Sequence, residues 1–60
     1  MTGTKWRMGE RILIVREADA QQVRYLDGYE NGEGIERVGS RIQWDLDVEA
    51  GVLVPIGKVA

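Results

Sequence analysis

The groups in this chain best equipped for chemistry are carboxylates, and three of them stand two residues apart at Asp45, Asp47 and Glu49. Paired carboxylates can act as general acid and base. Set along one water-exposed strand face, however, they have no burial and no close partner to divide acid from base between them. Asp45-Leu46-Asp47 also lacks the loop and the ligand number of a calcium site. Nucleophilic catalysis has less to work with. Ser40 is the single serine, Thr2 and Thr4 lie in an end expected to be loose, and no histidine is present to activate any of them. Without cysteine or histidine there are no disulfides and no zinc sites built on thiolate or imidazole. The stretch from Gly28 to Gly34 is glycine-rich, but the lysine and helix start that follow a phosphate-binding loop are missing. The expectation is a binding protein, not an enzyme, with no metal and no cofactor.

The elements that must carry these residues read as β. Glu10 to Glu17 is a strand centred on Ile12-Leu13-Ile14-Val15, four consecutive apolar residues that require cover on both faces. Ala18-Asp19-Ala20 reads as a turn. In a second strand, Gln22 to Tyr29, Val23 and Tyr25 share one face and Arg24 and Leu26 the other. Asp27-Gly28 and Asn31-Gly32 are hairpin dipeptides, so Tyr29 to Gly34 is expected as an exposed acidic loop bearing Glu30 and Glu33. Ile35 to Val38 is a short strand, ended or bulged at Gly39. From there Ser40, Ile42, Trp44, Leu46 and Val48 alternate with Arg41, Gln43, Asp45, Asp47 and Glu49. That period of two predicts a half-buried strand with Trp44 in the core and an acidic outer face. Ala50-Gly51 turns the chain, and Pro55 places the last apolar strand at an edge. With no long 3.6-residue apolar period, the class is all-β: five to six antiparallel strands in a small barrel or strongly twisted sheet. The organisation is one domain over residues 5–60 behind a flexible stretch at 1–4.

Two local strings resemble known small barrels. Met8-Gly9-Glu10-Arg11-Ile12-Leu13-Ile14-Val15 resembles the strand after the first long loop of SH3 domains, and Gly51-Val52-Leu53-Val54-Pro55 with Val59 is similar to the closing segment of that fold. Val23 to Glu33 looks like a strand-turn of Tudor-type barrels. The resemblance implies an SH3-like architecture. The acidic-aromatic opening and adjacent tryptophan pair of SH3 domains are missing, as are further cage aromatics beyond Tyr25 and Tyr29, so no ligand is carried over.

Sixty residues bury only roughly 60% of their unfolded surface. Without disulfide or zinc, stability must come from tight packing or from a partner, which keeps a homo-oligomer or permanent complex in view. The longest apolar run is the four residues Ile12 to Val15, too short for a signal peptide or a membrane span, so a cytoplasmic setting is expected. Charge is uneven. Residues 1–24 carry Lys5, Arg7, Arg11, Arg16 and Arg24 against Glu10, Glu17 and Asp19, a balance of +2; residues 25–60 come to −4 within a total of −2. Two partner classes follow. A protein partner, on which the chain would act as an accessory or inhibitory factor, would dock on Asp45, Asp47 and Glu49 with Tyr29, Glu30 and Glu33, a set that otherwise serves solubility. Nucleic acid would instead meet a basic-aromatic patch of Lys5, Trp6, Arg7, Arg11, Arg24 and Tyr25.

Overall fold

A computed structural model describes residues 1–30 and 33–59. The chain is all-β apart from one short helix. Strands β1 (Thr4–Met8), β2 (Arg11–Ala18), β3 (Gln22–Glu30) and β4 (Glu33–Ser40) form an antiparallel meander. Helix α1 (Arg41–Glu49) follows, and β5 (Leu53–Lys58) returns to pair with β1, giving the order β4-β3-β2-β1-β5. Pro55 lies on an edge strand as expected, where its missing N–H interrupts no central ladder.

Strand alternation sorts the side chains. Trp6 opposes Leu13 and Val15 opposes Tyr25, while Lys5 opposes Ile14 and Arg7 opposes Ile12. Leu13, Val15 and Val23 therefore form the inner core with Trp44 and Leu53, and Trp6, Met8, Ala18, Tyr25 and Val48 pack around them. Ile14 points the other way and is still only 4% exposed. Leu13, Ile14 and Val15 are thus buried within the chain, and Ile12 is half-buried. The first residues extend the ladder: Gly3 N–H donates to Val15 O (2.8 Å), and Gly3 O accepts from Val59 N–H (2.8 Å). The segment expected to be loose is hydrogen-bonded on both sides, and β1 starts at Thr4.

The strand expected over Ser40 to Val48 is a helix. Ser40 is its N-cap, in extended conformation, and its Oγ accepts from Gln43 N–H at 3.3 Å. At the other end Gly51, at φ +79°, donates to Val48 O and Val52 donates to Asp47 O, a left-handed C-terminal cap that glycine adopts without a Cβ penalty. Four-residue spacings tie the surface: Arg41 Nε to Asp45 Oδ1 (3.1 Å) and Gln43 Nε2 to Asp47 Oδ1 (3.0 Å). Trp44 and Val48, also four apart, turn inward. Ile42 and Leu46, read as core by the alternating pattern, are 72% and 53% exposed. Over nine residues a period of two and a period of 3.6 overlap enough for caps to decide, and Ser40-x-x-Gln43 is a capping-box pattern.

The helix is anchored to the β2–β3 turn. Arg41 donates its N–H to Gln21 O and its Nη1 to Asp19 O. Asp19 shapes that turn by accepting from the backbone N–H groups of Gln21 and Gln22, which hold its carboxyl below the usual range. Ser40→Ala removes the cap and is expected to lower the unfolding free energy by about 1 kcal/mol. Urea denaturation followed by circular dichroism checks it, and an unchanged midpoint would show that the cap contributes nothing.

Candidate functional site

Six residues of the chain were expected to make a basic-aromatic patch, and the sheet separates them. Trp6 and Tyr25 face inward, because each shares strand parity with a core residue. Their rings lie 5.6 Å and 5.4 Å from that of Trp44, and Trp6 meets it edge-on at 79°. Trp6 Nε1 is satisfied by Thr4 Oγ1 at 2.8 Å. Trp44 Nε1 is buried without an acceptor among the described residues. An unpaired donor of this kind costs about 1–3 kcal/mol, which the surrounding aromatic packing must offset.

Two of the arginines are taken up by carboxylates. Asp27 is 7% exposed, and it lies between Arg11 on β2 and Arg37 on β4. Arg11 holds it through both carboxylate oxygens, and Arg37 Nε reaches Oδ2 at 2.8 Å. Asp27 opposes Leu13 and Ile35 in register, so each arginine sits two residues along on the neighbouring strand. Asp27-Gly28, expected to turn the chain, is instead a bulge inside β3, with Gly28 at φ +71° and the register shifting between Asp27 and Glu30. Gly34 fits against that bulge: a Cβ there would meet Leu26 Cβ at 3.2 Å and Asp27 O at 3.3 Å. Arg24 likewise pairs with Glu17 (3.3 Å) and Glu36 (3.8 Å). Of the expected patch only Lys5 and Arg7 remain outward and without an ion-pair partner among the described residues. Arg16, not singled out from the sequence, joins them: it follows Ile12 and Ile14 along β2, and it too has no such partner.

The acidic set is rearranged as well. On a helix, Asp45 and Glu49 are one turn apart while Asp47 projects elsewhere, so no continuous acidic row forms. Asp45 is engaged by Arg41 and Asp47 by Gln43. The stretch expected as an acidic loop is strand at both described ends: β3 runs to Glu30, β4 begins at Glu33, and the two residues pair. Asn31-Gly32 lies outside the described residues, and for Glu30 only the backbone is described. Tyr29 is half-buried on β3, beside an open hollow of ≈ 350 Å³ that it lines with Ile14, Leu26, Arg16 and Val59.

The more conspicuous surface is one that the sequence pattern did not mark. All six residues from Glu33 to Val38 are exposed, and their five side chains stand on both faces of β4. They include Ile35 (64%) and Val38 (56%), and β4 is an outer strand of the sheet with only β3 beside it among the described residues. Among the described residues no group of three or more acidic residues is placed to hold a metal ion, and no helix is long and apolar enough to cross a membrane. Comparison with protein families, with curated proteins and with solved structures finds no match to this chain.

Asp27→Ala leaves two guanidiniums facing each other without their acceptor. The expected loss is about 2 kcal/mol, moderated because water reaches both arginines. Arg11→Ala should cost less, since Arg37 still holds the carboxylate. Chemical denaturation of the two variants tests this order, and equal losses would contradict it.

Proposed function

We propose that this chain is a small protein-binding module that engages its partner along β4, with an accessory or regulatory role toward a larger assembly. The observation that carries the reading is the condition of β4. It is eight residues long, its outer edge is unpaired, and apolar side chains stand exposed on both of its faces. In an antiparallel ladder every second residue of an edge strand turns its N–H and C=O outward, which suits main-chain pairing with an added strand. Ile42 and Leu46 give α1 an exposed apolar pair on the element that continues β4. The carboxylates Glu33, Asp45 and Glu49 flank these surfaces and supply charge selectivity instead of a docking row. An SH3-like classification and a cytoplasmic setting belong to the same proposal; the β1–β4 meander and the return of β5 to β1 support the first, and the cysteine-free composition the second.

Ile35→Lys and Val38→Lys change exposed positions and should leave stability within about 0.5 kcal/mol. Capture of a partner from the source cells by tagged wild-type chain is expected to fall at least tenfold with either variant. Undiminished capture would remove β4 as the binding element.

A second reading rests on the outward Lys5, Arg7 and Arg16, which share the β1–β2 outer face clear of carboxylate partners. Three phosphate contacts would give a log–log salt slope of about −2.7 on duplex DNA, or roughly 40-fold weaker binding between about 50 and 200 mM salt. Lys5→Glu with Arg7→Glu should abolish binding of a fluorescent oligonucleotide. No binding by the wild type at low salt would end this reading.

A further inference from the structure

The two edges of the sheet are finished differently. On β5, Pro55 removes a backbone donor, the register with β1 shifts between Lys5 and Trp6, and Gly57 takes φ +147°. These devices obstruct the approach of another strand. On β4 there is no proline, and its one register irregularity falls on the β3 side at the Asp27–Glu30 bulge, leaving the outer edge regular from Glu33 to Ser40. What can pair there is constrained by the charges of β4 itself.

We infer that the β4 edge is a self-association site, where β4 pairs antiparallel with β4 of a second copy about a two-fold axis through Ile35. The inference rests on the protein-binding reading and names its partner. A two-fold axis perpendicular to the sheet keeps each face on its own side, so only residues of equal parity come opposite one another. With the axis at Ile35, Ile35 opposes Ile35 of the second copy, and Glu33 opposes Arg37 twice. On the other face Gly34 opposes Glu36 twice, leaving that carboxylate free of a like charge. Moving the axis to Glu36 sets Glu36 against itself, and moving it to Arg37 sets Arg37 against itself. Directly opposed like charges destabilise a strand pair, while opposite charges and apolar pairs stabilise it. An axis at Val38 avoids like charges but opposes no unlike ones, so the two Glu33–Arg37 pairs select the Ile35 register. Arg37 can serve both partners: its Nε holds Asp27, and its side chain is 54% exposed, leaving further N–H donors of the guanidinium for Glu33 of the second copy. Joining the edges merges two five-stranded sheets into one and covers the exposed Ile35 pair. It also supplies the partner that a sixty-residue chain without disulfides has reason to use.

The cysteine-free sequence makes a direct test available. Directly opposed residues bring their Cα atoms to about 4.5–5.5 Å, within the roughly 4.4–6.8 Å range of disulfides. Ile35→Cys is expected to oxidise rapidly to a covalent dimer under a mild oxidant, while Glu36→Cys, displaced from its own copy in this register, links at least tenfold more slowly. Sedimentation of the uncrosslinked wild type should show a dimer, with Ile35→Lys shifting it to monomer. Equal crosslinking of both cysteine variants, faster crosslinking at position 36, or a monomeric wild type would overturn the inference. A monomeric wild type whose partner capture still depends on Ile35 and Val38 leaves the protein-binding reading standing with a different partner. Loss of both dependences removes the two together.

Discussion

A five-stranded sheet this small has one inner face to keep dry, and Trp44 does most of that work from the helix. Its ring stands against Trp6 from β1 and Tyr25 from β3, so one side chain ties together the two strands that flank central β2. Losing a buried tryptophan typically costs about 3–5 kcal/mol. That is comparable with the whole margin of a core this size, about 3–5 kcal/mol. The helix caps, the Arg41 bonds to the β2–β3 turn and the inward placing of Trp6 and Tyr25 all serve to seat that ring. Because the two aromatics are committed to it, they are not free to stack on a ligand.

Charge is allocated by the same economy of space. Asp27 is the one buried carboxylate among the described residues, and Arg11 and Arg37 converge on it from both neighbouring strands. Its bulge also sets where β3 and β4 diverge in register, with Gly34 admitting the close approach. Arg24 and Arg41 find carboxylates on their own surfaces. What remains is sorted by face: Lys5, Arg7 and Arg16 on the outside of β1–β2, and the exposed residues of β4 at the far edge. A net charge of −2 conceals this separation.

The two edges of the sheet are finished differently. One edge carries proline, a register shift and a glycine at positive φ; the other is an uninterrupted strand with apolar groups on both faces. Natural sheets generally blunt an edge that is not meant to pair. The alternating Glu33, Ile35 and Arg37 give the open edge opposite charges on either side of an apolar centre.

Much of the architecture could be read from residue order. The covered strand at Ile12 to Val15, the β pattern of Gln22 to Tyr29, Pro55 at an edge and Trp44 in the core all follow from local burial and backbone chemistry, which short windows record. The stretch from Ser40 to Glu49 misled because strict alternation over ten residues satisfies a strand while also placing Trp44 and Val48 four apart. Ser40, Gln43 and Gly51 carried the helical signal, but caps contribute about 1 kcal/mol each and a packing partner for Trp44 had to exist before that mattered. The site residues were less legible still. Types and spacing could nominate Lys5, Trp6, Arg11, Arg24 and Tyr25 together, but only strand register decides which of them share a face. Sequence by itself determined the β class, the core residues of the central strands and the absence of thiol and imidazole chemistry. Tertiary structure alone decided that two arginines would meet on Asp27 and that β4 would be left open, because each depends on which strand lies beside which.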